Sequence, residues 1–106
     1  MSLKCFSKHV QSLIDSDMAH VEVILNENDL RSITAILSGI KFIITAPEGY
    51  PFSPPIISCI NSKGISNRIY INAEWSYLYE LTTIIYILLH DYIPNIILKT
   101  PWLFKS

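Results

Sequence analysis

The sequence predicts an α+β fold, with helices on one side of an antiparallel sheet, and three observations carry that expectation. Apolar residues near the amino terminus recur at steps of three and four. The next stretch alternates or runs β-branched between short polar turns, and a second apolar helical pattern follows a proline-rich break. At 106 residues the chain holds enough material for one hydrophobic core and too little for two, so residues 1–106 are expected to form a single domain.

Leu3, Phe6, Val10, Leu13 and Ile14 form one apolar stripe, with Lys4, Lys8, Gln11 and Asp15 between them, which predicts an amphipathic N-terminal helix. Ser2 is its expected cap, and the polar run Asp15, Ser16, Asp17 its expected stop. Over residues 20–25, Val21, Val23 and Leu25 alternate with Glu22 and Ile24, so a strand follows. The polar cluster at 26–29 turns the chain into a second strand over 30–37. Ser38 and Gly39 turn it again into a third over 40–45. Connections this short leave only an antiparallel meander.

Residues 46–55 carry Pro47, Gly49, Pro51, Pro54 and Pro55, interleaved with Tyr50 and Phe52. Proline fixes its own φ and pushes the preceding residue to extended geometry, so this is a rigid loop. Tyr50 and Phe52 are expected to pin it to the sheet by burying aromatic area. A fourth strand over 56–60 completes the expected four-stranded meander, and residues 68–71 read as a short extended piece. A C-terminal helix is expected over about 79–92, apolar on most of its circumference and ended by Pro94.

Composition removes several function classes. Half of the residues are apolar and 16% are charged, unlike a disordered chain. Eight Lys plus Arg stand against nine Asp plus Glu without a basic cluster, so no nucleic-acid partner is expected. The most apolar run, 84–89, is far shorter than the roughly 20 residues that cross a bilayer, and no secretory signal pattern opens the chain. No membrane association is expected, and the localisation read from these features is intracellular, cytoplasmic or nuclear. Cys5 and Cys59 are too few for a disulfide framework, and with three scattered histidines they lack the spacing of a metal site, so neither metal nor cofactor is expected.

The segment Ala46-Pro47-Glu48-Gly49-Tyr50-Pro51-Phe52-Ser53-Pro54-Pro55 resembles the ubiquitin-conjugating enzymes, where a Pro-acidic-x-Tyr-Pro-Phe-x-Pro-Pro segment links the third and fourth strands. Asn67-Arg68-Ile69-Tyr70-Ile71, with Glu74-Trp75 after it, looks like that family's strand around the active cysteine and its downstream tryptophan, at compressed spacing. The resemblance implies a ubiquitin-conjugating-enzyme-like fold, truncated at its C-terminus. It makes Pro47, Tyr50, Pro51, Phe52, Pro54, Pro55 and Trp75 a fold signature rather than a binding site. It also implies a loss of chemistry. No His-Pro-Asn tripeptide lies between Ile56 and Trp75 to stabilise an oxyanion. Tyr70 falls at the nucleophile position, and a phenol, weakly acidic beside a thiol, cannot serve as an acyl carrier at neutral pH.

Other candidates read more simply as structure. Cys59 shares a strand face with Ile57 and is expected in the core. Cys5, on the polar side of the first helix and without a sequence-adjacent base, reads as a surface thiol. His90 beside Asp91 suits the negative end of a helix without catalysis. Tyr79 and Tyr86, seven apart, share a helical face and are expected in the core or at its rim. Trp102 and Phe104, in the tail, either dock on the domain or contact a partner.

The function expected from the resemblance is therefore that of a pseudoenzyme with no catalytic residue. It is a binding module that engages ubiquitin, a ubiquitin-like protein or an active conjugating enzyme. The alternative is an RWD-type scaffold, a subunit of a complex without ubiquitin contact, since Tyr50-Pro51-Phe52-Ser53-Pro54-Pro55 fits that turn as well. A third reading is a reduced but active conjugating enzyme that uses Cys59.

Overall fold

The structure, a computed structural model, describes residues 2–61, 63–70 and 74–94. Helix α1 spans Ser2–Ser16, and strands β1 (Val21–Leu25), β2 (Ser32–Leu37), β3 (Ile40–Thr45), β4 (Ile56–Ile60) and β5 (Ser66–Ile69) follow. Helix α2 covers Leu81–Ile87 and widens into a π-helical turn over Leu88–Tyr92. The strands form one antiparallel sheet in the order β1-β2-β3-β4-β5, so the fold is α+β as expected.

Local chemistry explains where the elements stop. The backbone N–H of Asp17 bonds to the Ile14 carbonyl, and Asp17 then turns left-handed at φ 48°, which ends α1. Between β1 and β2, Asn26 and Asp29 accept bonds from the N–H groups of Asn28 and Arg31 through their side-chain oxygens. These turns hold residues 30 and 31, so β2 begins at Ser32 rather than at 30. Ser38 (φ 51°) and Gly39 (φ 84°) form a two-residue hairpin with both residues left-handed, the twist that matches paired strands.

The sheet has five strands, not four. The fifth, β5, overlaps the short extended piece expected over 68–71 but begins two residues earlier, where Ser66 and Asn67 give no apolar alternation. The pairing comes from the backbone. Asn61 accepts the N–H groups of Lys63 and Ile65 through its side-chain oxygen, and Gly64 adopts φ 81°, which returns the chain along β4. Ile57 then faces Ile69, and Ile60 faces Ser66.

One face of the sheet is dry. Ile33, Ala35, Leu37, Ile40, Phe42, Ile44, Ile57 and Cys59 all point inward and are buried. They meet Phe6, Val10 and Leu13 of α1, Leu81, Ile84 and Ile85 of α2, and Leu88 beyond it. The inward stripe of α1 is narrower than its sequence suggests, because Ile14 is 41% exposed. Helix α2 also starts later than expected. The hydroxyl and carbonyl of Ser76 take the N–H groups of Leu78 and Tyr79, making a turn, and Glu80 is extended. Tyr79 therefore lies outside the helix and shares no helical face with Tyr86, which is 58% exposed. Ile93 is still helical, so the stop expected at Pro94 falls at the edge of the described residues. Among those residues no helix is long and apolar enough to cross a membrane.

Phe42 lies at the centre of this core with no exposed surface. Phe42→Ala is expected to lower the unfolding free energy by about 3–5 kcal/mol, read as a shift in the denaturant midpoint; a loss below about 1 kcal/mol would place the core elsewhere.

Candidate functional site

The proline loop joins β3 to β4 and is held at several points. The N–H of Ala46 donates to the Arg31 carbonyl at 2.7 Å, Tyr50 donates to Pro47 at 3.1 Å, and Ser53 donates to Gly49 at 2.9 Å. The Tyr50–Pro51 peptide is cis. A Cβ on Gly49 would meet the Ser53 Oγ at 2.6 Å, so only glycine fits this close approach.

Tyr50 anchors the loop. It is 2% exposed, stands edge-on to Phe6 at 5.6 Å and lies 6.1 Å from Trp75. Its hydroxyl meets His9 Nδ1 at 2.5 Å. Burial, with smaller contributions from the charges of Cys5 and Glu80, pushes the phenol far above its ordinary value. Tyr50 is therefore a neutral hydrogen-bonding group throughout the physiological range. Trp75 closes the arrangement from the other side, as its Nε1–H donates to the Pro51 carbonyl at 2.7 Å and its ring meets Tyr79 edge-on at 5.6 Å.

The other signature residues divide. Pro55 is buried, Pro47 and Pro51 are half-buried, and Pro54 is exposed. Phe52 does not pin the loop to the sheet. It is 77% exposed and packs its ring on Tyr77 at 5.5 Å, with Leu78 beside Tyr77 in sequence and 73% exposed. Tyr50 and Trp75 already fill the space beneath the loop, so Phe52, two residues after Tyr50, is left on the outer side.

Tyr70, the residue at the expected nucleophile position, is 74% exposed beyond the end of β5, with the Arg68 guanidinium 5.0 Å from its ring centre. A cavity of about 200 Å3 lies beside it, walled by Ile57, Ile69, Trp75, Ile84 and Ile87 with Arg68 and Glu74 among its polar residues. Among the described residues no cysteine, serine or histidine lines this cavity. Cys59 faces the core at 5% exposure, and burial pushes its thiol up. His90 is exposed and its ring lies 4.2 Å from that of Tyr86. Among the described residues no three of His, Cys, Asp and Glu gather as metal ligands. Trp102 and Phe104 lie outside the described residues.

Cys5 corrects its expectation. It is half-buried against the core rather than a surface thiol, with its Sγ 3.8 Å from His9 Nε2. The four-residue spacing of Cys5 and His9 on a helix was a readable signal of this contact. No spacing rule could have joined either residue to Tyr50, or Phe52 to Tyr77. No protein-family model matches the chain, and no curated protein matches it in sequence.

Two measurements check this arrangement. Trp75→Phe keeps a ring and removes the bond to Pro51, and is expected to cost about 1 kcal/mol in chemical denaturation. Because the Tyr50 phenol is raised in the fold, its contribution to stability is complete below the unfolded value near 10 and is lost as pH rises above it. The denaturation midpoint is expected to fall between about pH 10 and 11, and to fall less steeply in Tyr50→Phe.

Proposed function

We propose that the chain is a non-catalytic binding module of the ubiquitin or ubiquitin-like conjugation system, engaging ubiquitin, a ubiquitin-like protein or an active conjugating enzyme. The observation that carries this reading is the exposed Phe52–Tyr77 pair with Leu78, Phe52 standing on a loop fixed from beneath by Tyr50 and Trp75 and the other two on the turn before α2. Large aromatics held in place lose little conformational freedom on association and make effective anchors. The ubiquitin-conjugating likeness of residues 46–55 supplies the class of partner, and the order helix, meander, proline loop, helix agrees with it.

The loss of acyl-transfer chemistry is argued from the two candidates for its nucleophile. Tyr70 offers a phenol, and Cys59 offers a thiol that is turned inward and disfavoured as a thiolate by burial. A scaffold role of the RWD type has one observation in its favour. On the outer side of the sheet, Ile36, Ile43, Ile56 and Ile60 stay half-exposed and Ile24 is 46% exposed, with both helices packed on the other side. Burial of such a face suits a permanent subunit contact.

Incubation with activating enzyme, ATP and ubiquitin is expected to give no reductant-sensitive adduct; an adduct that disappears in Cys59→Ser would mean that the chain is an enzyme. Titration with ubiquitin is expected to shift the amide resonances of Phe52, Tyr77 and Leu78. Phe52→Ala should weaken that binding about tenfold or more, which is about 1.4 kcal/mol, while stability stays within about 0.5 kcal/mol of the parent. Silence in the ubiquitin titration, with shifts confined to the outer isoleucines in the presence of a co-purified subunit, favours the scaffold.

A further inference from the structure

We infer that Cys5, His9 and Tyr50 form a thiol–disulfide exchange site on α1, with Cys5 as the nucleophile and a small anionic disulfide as its substrate. This inference goes beyond the binding function and shares only Tyr50 with it, since Cys5 and His9 lie on α1 and neither belongs to the exposed Phe52–Tyr77 pair.

The geometry is a relay of three groups from different parts of the chain. Cys5 and His9 stand one helical turn apart, which places the thiol 3.8 Å from Nε2. Tyr50 arrives from the proline loop and holds the opposite ring nitrogen, Nδ1, through its hydroxyl. The imidazole is thereby fixed at both nitrogens, the arrangement in which a base is oriented by a third group. Only the tautomer with its proton on Nδ1 leaves Nε2 free to take the thiol proton, and the Tyr50 hydroxyl then accepts from Nδ1 both before and after the transfer. Cys5 and His9 are half-buried rather than sealed, so a small reagent can reach the sulfur. Lys4 and Lys8 are both exposed on the same helix, one residue before and three after Cys5, and favour a disulfide that carries carboxylates.

The exchange balances without another reactant. The Cys5 proton passes to His9 Nε2, and the sulfur attacks one sulfur of the disulfide. A Cys5–S–S–R bond forms as the R–S–S–R bond breaks, and the departing thiolate takes the proton from His9. Cys5 is oxidised and the released half of the reagent is reduced. Cys59 serves as an internal contrast, being a core residue turned away from solvent.

The full-length chain, folded, is treated with oxidised glutathione, and adducts are timed by intact mass and located by peptide mapping. A single adduct on Cys5 is expected, forming about tenfold or more faster than on the same chain in denaturant. His9→Gln, which can still bond to Tyr50, should slow it by a similar factor, and Tyr50→Phe by less. A variant that unfolds would also be modified at Cys59, so loss of the fold and loss of the base give different patterns. Equal rates in the folded and unfolded parent chain, modification of Cys59 as fast as Cys5, or an unchanged rate in folded His9→Gln would each overturn the site.

Discussion

The seating of Tyr50 is the contact on which the rest of the molecule depends. Its ring meets Phe6 of α1 and Trp75 of the segment before α2, and its hydroxyl meets His9. Three stretches far apart in sequence are thus fastened around one side chain. The bond from Trp75 to Pro51 fastens the next residue of the loop as well. A proline-rich loop without this anchor would be stiff but unplaced, since prolines limit the conformations of a segment without choosing its direction. Tyr50 chooses the direction, and the outward course of Phe52 follows from it.

The sheet sorts its side chains by the same logic of occupied space. Odd-numbered residues of β2, β4 and β1 and even-numbered residues of β3 face the helices, as the register requires. The inner side is filled by α1 and α2, which contact each other across it. The outer side keeps isoleucine at five positions with threonine, serine and single charges between them. Isolated apolar residues on a surface are ordinary, but a sheet face in which isoleucines recur on four neighbouring strands is not. Among the described residues there are thus two partly exposed apolar surfaces, one a flat sheet face and one a loop tip.

Much of the fold was legible because its elements follow simple periods. The bounds of β3 and β4 agree with their hydrophobic runs, and Ser38-Gly39 marks its hairpin by chemistry alone. What escaped was decided by backbone pairing or by contacts at long range. β5 carries Ser66, Asn67 and Arg68 and is a strand only because β4 offers it partners. The delayed start of α2 comes from a serine turn that an apolar helical pattern conceals. The loop of the candidate site was visible as a motif, yet the roles of its two aromatics were not. Tyr50 and Phe52 stand on either side of the same proline, Pro51, and contacts with Phe6, His9 and Trp75, the last 24 residues beyond that proline, bury one of them and leave the other exposed. The pairing of Cys5 with His9 is within reach of the helical period, although the sequence reading places Cys5 on the polar side of the helix without a sequence-adjacent base.

The polar composition of β5 has a protective consequence. Without it, β4 would be the margin of the sheet, and its sequence Ile-Ile-Ser-Cys-Ile is short, uncharged and β-branched, the kind of segment that templates intermolecular strand addition. β5 covers those backbone groups with a strand that presents Ser66, Asn67 and Arg68 to water. A weakly encoded strand thereby acts as a gatekeeper, keeping an aggregation-prone segment inside the sheet by means of a stretch that contributes almost nothing to its core.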